Sequence, residues 1–330
     1  MRSARLTLAL DSGAVALPPD GPIAVFRPRM GDDLSVLPKA RVTVVQGFKP
    51  DHDAFAGLGY KTRIAGEGGY AAALVCLPRS RAEAHATLAA AAAQVVAGGP
   101  VIVDGQKTDG VDSIHRELRG LVAVTPAQSK AHGKIFAFPA GAELAGWAGQ
   151  EMAVDGGFVT RPGVFSADGP DRGSALLAEA LPDRLPARVV DLGAGWGYLA
   201  RAILSRDGVQ RLDLVEAEAE ALDCARRNVT DPRAQFHWAD ALAWKPETPV
   251  DAVVCNPPFH SGRAADPALG AAFIRAAAAM MTTSGTLWLV ANRHLPYAQV
   301  LTDSFREVEE IGGDSAFRLT RAARPIRPRS

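Results

Sequence analysis

The chain has 330 residues, 48% of them hydrophobic, which is enough for two domains with a core each. Its 36 basic and 36 acidic side chains cancel, so no strong positive charge marks it as a nucleic-acid-binding protein. Cys76, Cys224 and Cys255 lie in apolar or helical segments without metal-ligand spacing, which predicts reduced thiols, a cytoplasmic location and no metal. No run reaches ~18 uninterrupted apolar residues, so we expect neither a membrane span nor an export signal.

The first half of the chain contains few obvious elements. The first strand that we predict is Val42–Val45, which leads into Gln46-Gly47-Phe48-Lys49. A second apolar run, Leu74–Leu77, ends at a proline and precedes an alanine-rich helix at Ala82–Ala97. A glycine pair stops that helix, and Val101–Val103 is the next predicted strand.

The second half alternates short β-rich runs with helical stretches, which is typical of parallel strands joined by crossover helices. The strands are predicted at Arg188–Asp191, Leu212–Glu216, Gln235–Ala239, Ala252–Cys255 and Thr286–Ala291. The helices are predicted at Glu218–Val229 and at Ala271–Met281, which Ser284-Gly285 closes.

The two halves share an order of elements. Leu74-Val75-Cys76-Leu77-Pro78 resembles Val253-Val254-Cys255-Asn256-Pro257, and an alanine-rich helix, a glycine stop and a strand follow each. Any two α/β domains share such an order, which is the alternative explanation. We favour duplication, and therefore predict two tandem Rossmann-like α/β domains. The segment Gly141–Gly157 is rich in glycine, and we predict that it is the linker. We expect the two domains at residues 1–145 and 154–330.

The most regular motif is a glycine-rich turn between a strand and a helix. Asp191 ends the strand, and Gly193, Gly195 and Gly197 follow at alternate positions. Glycine allows a tight turn and a close approach of the backbone to a ligand. The spacing differs from the dinucleotide fingerprint and matches the D-x-G-x-G-x-G form of class I methyltransferases, whose ligand, S-adenosylmethionine, has an amino-acid tail and no pyrophosphate.

Acidic side chains end the next two strands. Glu216 is placed to accept hydrogen bonds from ribose hydroxyls, although it could also be a solvated acid at a helix start. Asp240 ends the third strand, where this fold presents a polar group to the adenine amine, although alone it could be a helix N-cap.

Asn256-Pro257-Pro258-Phe259 ends the fourth strand and is the most informative tetrapeptide. Two prolines make a rigid turn, but a purely structural turn requires neither the asparagine nor the aromatic residue. The Asn256 amide oxygen and the Pro257 carbonyl can accept the two N–H bonds of an exocyclic amine, turning its lone pair towards a sulfonium methyl group. Phe259 can stack on the base. We therefore predict these four residues as catalytic.

Together these motifs resemble the RsmC-type guanine-N2 methyltransferases of ribosomal RNA, with RlmG-type enzymes as relatives. The resemblance includes Arg161–Gly169, then Asp171, Gly173 and Ser174, and also Val290–Tyr297. It implies that Phe165, Asp168 and Ser174 lie near S-adenosylmethionine. From the residues alone, Asp168 and Asp171 could equally cap the helix that begins near Ser174. Trp196 and Tyr198 are bulkier than is usual in the family, which predicts a reshaped adenosine pocket.

The family has an N-terminal domain that duplicates the methyltransferase fold and has lost catalysis. The first half here has no glycine-rich loop after its predicted first strand, and Leu77-Pro78-Arg79-Ser80 replaces the Asn-Pro-Pro-aromatic turn. We therefore expect this half to bind no cofactor and to serve folding or RNA docking. The predicted reaction is methylation of a guanine N2 in 16S rRNA by a cytoplasmic monomer that acts on ribosomal RNA or the small ribosomal subunit.

Other functions stay open at this point. One is a guanine-N2 methyltransferase of 23S rRNA, and another is a protein glutamine-N5 methyltransferase, although the latter usually has tyrosine at the position of Phe259. A DNA adenine-N6 enzyme, an inactive RNA-binding module and a dinucleotide-dependent oxidoreductase fit less well. The arginines from Arg318 to Arg329 are either part of a disordered tail or contacts to RNA phosphates.

Overall fold

The computed structural model describes residues 2–258 and 267–327 of the chain. It divides into two compact units, one formed by Met1–Glu151 with Arg161–Gly163 and the other by Met152–Thr160 with Val164–Ser330. The N-terminal unit contains, in chain order, α1 Arg2–Asp11, β1 Ile23–Phe26, β2 Val42–Val45, α2 Lys49–Gly57, β3 Lys61–Arg63, β4 Ala72–Cys76, α3 Arg81–Gln94, β5 Pro100–Gln106, α4 Val111–Arg119, β6 Gln128–Lys130 and β7 Gly133–Pro139.

The C-terminal unit begins with a small hairpin and continues into a second α/β fold. Its elements are β8 Met152–Val154, β9 Phe158–Thr160, α5 Arg172–Ala180, β10 Arg188–Leu192, α6 Tyr198–Leu204, β11 Arg211–Glu216, α7 Ala219–Asn228, β12 Ala234–Trp238, β13 Val250–Cys255, α8 Pro267–Met280, β14 Met281–Asn292, α9 Ala298–Ser304, β15 Phe305–Gly313 and β16 Phe317–Pro325.

Each unit has a seven-stranded sheet with the same topology. The order is β3-β2-β1-β4-β5-β7-β6 in the N-terminal unit and β12-β11-β10-β13-β14-β16-β15 in the C-terminal unit. In both sheets the first five strands of the order are parallel to one another. The sixth strand is antiparallel to both of its neighbours, the fifth and the seventh. The predicted architecture, two tandem Rossmann-like α/β domains, is confirmed.

The central strands of both sheets are apolar because helices cover both faces. Every residue of β1 and of β4 is buried, as are Val189–Leu192 in β10 and Ala252–Cys255 in β13. Such continuous burial is expected of parallel sheets that lie between two helical layers. Apolar clusters line both faces of each sheet, so each unit has its own core. All three cysteines are buried and free.

Two predictions about the helices and strands are wrong. One concerns which strand comes first, and the other concerns where α8 ends. Val42–Val45 is the second strand, because the shorter Ile23–Phe26 precedes it and lies at the centre of the sheet between β2 and β4. Ser284-Gly285 does not close α8, since that helix ends at Met280. Met281 already pairs with Val250, and a register shift before Thr286 accommodates the four residues between them within β14.

Three of the C-terminal arginines lie in the sheet and Arg327 contacts α8, so the prediction of a disordered tail is wrong for residues 318–327. Arg318, Arg321 and Arg324 lie on β16 and form ion pairs with Glu310, Glu309 and Glu307 of the neighbouring β15, respectively. Arg327 donates to the backbone carbonyls of Ala278 and Ala279 at the end of α8. Pro328 and Arg329 lie outside the described residues. Residues 317–325 therefore form a strand between two others.

Candidate active site

The loop between β10 and α6 turns through three left-handed glycines. Their φ angles are +80° at Gly193, +55° at Gly195 and +91° at Gly197, which other residues rarely adopt. A Cβ at Gly197 would lie 2.9 Å from the Val229 side chain, whereas one at Gly195 would meet nothing within 4 Å. Gly197 is therefore required for packing, and Gly195 leaves space above the loop.

Beneath this loop lies a buried acid, Asp191. Its side chain is fully inaccessible, and among the described residues neither carboxylate oxygen has a hydrogen-bond partner. Burial, with a further contribution from the negative charge of Glu216, raises the pKa of Asp191 to about 8. The carboxyl group is therefore largely protonated at neutral pH. Such a buried group without partners is a candidate contact for a cationic or hydrogen-bonding ligand.

Glu216 at the end of β11 is tied to the same loop. Its Oε2 accepts a hydrogen bond from the Gly195 amide at 2.8 Å, and its Oε1 accepts one from the Glu218 amide at 2.7 Å. Burial raises the pKa of Glu216, and the two backbone amides oppose the shift. The carboxylate is thus part of the loop structure and differs from a solvated acid at a helix start.

One pocket collects five of the thirteen predicted site residues. It is lined by Phe165, Ser166, Asp171, Ser174, Gly193, Ala194, Gly195, Trp196, Tyr198, Leu199 and Asn256. Asp168 is exposed and does not line it. Asp240 lies at the end of β12, where its Oδ1 accepts a hydrogen bond from the Leu242 amide at 2.9 Å and organises a turn. The structure brings Phe165, Ser174, Gly193, Gly195 and Asn256 together, with Asp191, Gly197 and Glu216 adjoining the loop.

Asn256 directly follows β13 and points its amide at α5. Its Nδ2 donates to Asp171 Oδ2 at 3.0 Å and to Ser174 Oγ at 2.9 Å. Pro257 is buried and Pro258 is exposed, and Phe259 lies outside the described residues. The rigid turn therefore carries an amide whose nitrogen is fully engaged.

Comparisons with known proteins agree with this geometry. Residues 155–321 match the Methyltransferase small domain family. Over 251 residues the chain is 30% identical to ribosomal RNA small subunit methyltransferase C of Salmonella newport, covering 74% of this chain and 73% of that protein. It is 31% identical to the enzyme of the same description from Klebsiella pneumoniae, with the same coverage.

The chain belongs to the ribosomal RNA small subunit methyltransferase C family. A solved structure of a T. thermophilus family member is also similar, with a TM-score of 0.78 and 25% identity. That similarity covers 94% of this chain and 90% of the other. That protein is a 16S rRNA N2 methyltransferase in complex with AdoMet and guanosine. The predicted resemblance and the prediction of a methyltransferase are both confirmed.

In this family member, Trp196 anchors the loop that carries Phe165. Its indole Nε1 donates to the Phe165 carbonyl at 2.9 Å, and its ring packs edge-on against Phe158 at a centroid distance of 5.0 Å. Trp196 is 3% exposed, whereas Phe165 is 56% exposed. Ser166, with φ at +50°, then turns the chain and donates to the Gly169 carbonyl. The large side chain of Trp196, noted from the sequence, thus fixes the Phe165 segment at one side of the pocket.

The methyltransferase uses Asp171, and not Asp168, as the N-cap of α5. Asp171 Oδ2 accepts a hydrogen bond from the Ser174 amide at 2.9 Å. The sequence indicated this cap but gave no sign that the same oxygen contacts Asn256. The two residues are 85 positions apart, so only the fold brings them together.

Proposed function

We propose that the chain transfers a methyl group from S-adenosylmethionine to the exocyclic N2 of a guanine in 16S rRNA. The observation that carries this proposal is the geometry of the Asn256 amide. Asn256 lines the glycine-rich pocket, its Nδ2 donates to two partners, and its oxygen accepts no hydrogen bond from the described residues. The similar T. thermophilus protein, with AdoMet and guanosine bound, supports the same ligands here.

The residues of the pocket fit S-adenosylmethionine. Gly195 leaves room for a ligand beside the loop backbone. Asp191 is a buried acid that lacks a protein partner among the described residues and could interact with the amino-acid tail. We assign the ribose to Glu216 and the adenine to Asp240. We place Phe165 and Ser174, which line the pocket, near the cofactor, whereas Asp168 is exposed outside this lining and is left unassigned. Gly193 and Gly197 complete the loop. When bound, S-adenosylmethionine supplies a methyl group on a positively charged sulfur.

In the proposed mechanism the chain aligns and polarises a weak nucleophile. The guanine amine donates its two N–H bonds to Asn256 Oδ1 and to the Pro257 carbonyl, so its lone pair faces the methyl group. The same two oxygens stabilise the positive charge that develops on nitrogen. The methylated nitrogen then loses a proton to water, because such an ammonium is acidic and needs no strong general base. Pro258 keeps the turn rigid, and we assign base stacking to Phe259.

The test is a nucleoside analysis of ribosomal RNA. Cells that lack this protein should lose one N2-methylguanosine from 16S rRNA, the wild-type chain should restore it, and Asn256→Ala should not. Loss of the modified nucleoside from 23S rRNA instead, or of N5-methylglutamine from a protein, would replace the proposal with one of the two alternatives. If 16S rRNA, 23S rRNA and protein all keep these modifications in cells that lack the chain, the proposal is overturned.

The remaining assignments are also proposals. We assign catalysis to residues 154–330 and a role in folding or RNA docking to residues 1–145. We further propose a monomer that acts in the cytoplasm on the small ribosomal subunit. The three free, buried cysteines support a reducing compartment. Sedimentation of the purified chain and the methylation of free RNA compared with assembled subunits would test these points. No helix in the described part of the chain is long and apolar enough to cross a membrane.

A further inference from the structure

We propose that Asp171 and Ser174 are positioning residues that set the orientation and polarity of the Asn256 amide. The inference rests on the proposed function, since it concerns how Asn256 meets the amine. Its basis is the pair of hydrogen bonds that Asn256 Nδ2 donates, to Asp171 Oδ2 at 3.0 Å and to Ser174 Oγ at 2.9 Å.

An asparagine amide can be rotated by half a turn with little change of shape, and the alternative would put nitrogen where the mechanism needs oxygen. An ionised carboxylate accepts hydrogen bonds and cannot donate them. Asp171 therefore selects the orientation with Nδ2 towards α5. Both N–H groups of Asn256 are used in this orientation, so Oδ1 is directed away from α5.

The position of Asp171 is itself fixed. It is the N-cap of α5 and accepts the Ser174 amide at 2.9 Å. A Cβ at Gly173 would lie 3.1 Å from Asp171 Oδ2 and 3.0 Å from the Phe317 ring, so glycine leaves room for the carboxylate there. The helix start and the catalytic turn are thus joined through one carboxylate oxygen.

The charge of Asp171 also has a chemical consequence. A carboxylate that accepts from an amide N–H polarises that amide, and hydrogen-bonded groups in a chain strengthen one another. The negative charge on Asn256 Oδ1 therefore increases. A more negative Oδ1 stabilises the positive charge that develops on the amine. It does so better than the Oδ1 of an amide whose N–H groups bind water.

The variants that separate this role from the capping of α5 are Asp171→Ser and Asp171→Asn. Serine and asparagine are both good N-caps, so α5 should start normally in either variant. Serine is too short to reach Asn256, and asparagine retains an acceptor but no charge. We expect kcat to fall by roughly 10-fold or more for Asp171→Ser and by less for Asp171→Asn, by analogy with the loss of a charge-assisted hydrogen bond.

The matched control is Asp231→Ser. Asp231 also accepts a hydrogen bond from a backbone amide, that of Arg233 at 2.9 Å, but it does not line the pocket. We expect an unchanged kcat for this variant. The dissociation constant of S-adenosylmethionine, measured by calorimetry, should stay within about 2-fold in all three variants, because the proposed effect falls on the nucleophile.

A double-mutant cycle decides whether Asp171 acts through Asn256. In the Asn256→Ala background, Asp171→Ser should change the single-turnover rate by less than about 2-fold, because the amide that it positions is gone. An equal loss in both backgrounds, or a normal kcat for Asp171→Ser, would overturn the inference. If Asn256→Ala is itself fully active, the proposed function fails instead. The side-chain amide proton resonances of Asn256 should also move on Asp171→Ser.

Discussion

The two sheets share one topology but differ in the residues at the carboxyl ends of their central strands. Phe26 pairs with Val75 in the N-terminal sheet, and Asp191 pairs with Val254 in the C-terminal sheet. Because the segments around these two valines match, the buried Phe26 stands where Asp191 does. By the same alignment, a fully apolar Leu77 takes the place of Asn256.

The neighbouring strands show the same replacement. Val45 pairs with Phe26, and Leu214 pairs with Asp191, so the residues two positions later correspond as well. The N-terminal unit has Gly47 at this point, and the C-terminal unit has Glu216. The N-terminal sheet therefore lacks the acid that we assign to the ribose.

The contrast teaches that a ligand-binding site keeps buried polar groups without protein partners. At a purely structural position, such groups are either absent or hydrogen-bonded within the protein. In the N-terminal unit, the buried Gln46 that follows β2 has protein partners, since it donates to the Pro28 carbonyl at 2.7 Å and accepts from the Phe48 amide at 2.9 Å. In the C-terminal unit, Asp191 has no comparable partner among the described residues. On the proposed assignment of catalysis to the C-terminal unit, the strand end that meets the ligand keeps a carboxyl group without a protein partner among the described residues, whereas the corresponding N-terminal strand end is apolar.

The largest predicted effect comes from blocking the glycine loop between β10 and α6. This tests whether only the C-terminal unit binds the cofactor. Gly195→Arg should abolish S-adenosylmethionine binding, because the side chain would fill the pocket and the φ of +55° disfavours it. Calorimetry on the wild type should give about one site per chain. Met30→Arg, in the exposed loop after β1, should leave that site intact. Two sites in the wild type would show that the N-terminal unit also binds cofactor.

The next largest effect concerns the turn after the fourth strand. Asn256→Ala should lower kcat by roughly 10²-fold, since a preorganised acceptor at the reaction centre is lost, with cofactor affinity nearly unchanged. Leu77→Ala at the corresponding N-terminal position should leave kcat unchanged and lower the free energy of unfolding by about 2–5 kcal/mol, because Leu77 is buried. Steady-state kinetics and urea unfolding measure both. A large loss of kcat from Leu77→Ala would contradict the assignment of catalysis to one unit.

Asp191 should also give the C-terminal unit a pH-dependent stability. The folded-state pKa of Asp191 is raised to about 8 from 3.8. The extra proton that the folded state holds between these two pH values stabilises it fully below pH 3.8, and this stabilisation is lost as the pH rises to about 8. Within this window the free energy of unfolding should fall by up to about 1.4 kcal/mol per pH unit. Asp191→Asn should flatten the slope.

Tryptophan fluorescence during urea unfolding at pH 6 and pH 7 measures this slope, because Trp196, Trp238, Trp244 and Trp288 all lie in the C-terminal unit and only Trp147 lies in the other. Phe26→Leu, at the N-terminal counterpart, should leave the slope unchanged. Parallel slopes for the wild type and Asp191→Asn would mean that Asp191 is ionised in the folded protein.

The smallest effect that we predict is at Trp196. Trp196→Phe removes the hydrogen bond to the Phe165 carbonyl but keeps most of the ring packing, so the dissociation constant of S-adenosylmethionine should rise several-fold, about 1 kcal/mol. Trp147→Phe is the matched change in the N-terminal unit, where the indole stacks on His85. It should not alter cofactor affinity, and an equal effect of both variants would argue against a role for the Phe165 loop.

Local patterns predicted the five parallel strands of the C-terminal unit but missed its β8–β9 hairpin and its last two strands. The central strands β10 and β13 are largely apolar runs, and the glycine spacing and the Asn256 turn follow directly from residue types. The same approach missed β1, because Ile23–Phe26 is only four residues long. It also missed the contact between Asp171 and Asn256, since no local pattern encodes a hydrogen bond across 85 positions.

The C-terminal arginines illustrate the same limit. An arginine-rich segment with prolines is typical of a solvated tail, but here Arg318, Arg321 and Arg324 face glutamates of a strand that precedes them. Their pairing depends on which strands become neighbours, and single positions do not reveal this. Arg318, Arg321 and Arg324 have carboxylate partners on β15, and the phosphate contacts that we considered for the C-terminal arginines stay a prediction.

The acidic strand β15 has a consequence for self-association. It lies at the outer end of its sheet, so one row of its backbone groups is available to a strand from another molecule. Its exposed Glu307, Glu309 and Glu310 would be brought against the same charges in a second copy. Exposed ion pairs add little to stability, and we expect these glutamates to disfavour the pairing of two β15 edges.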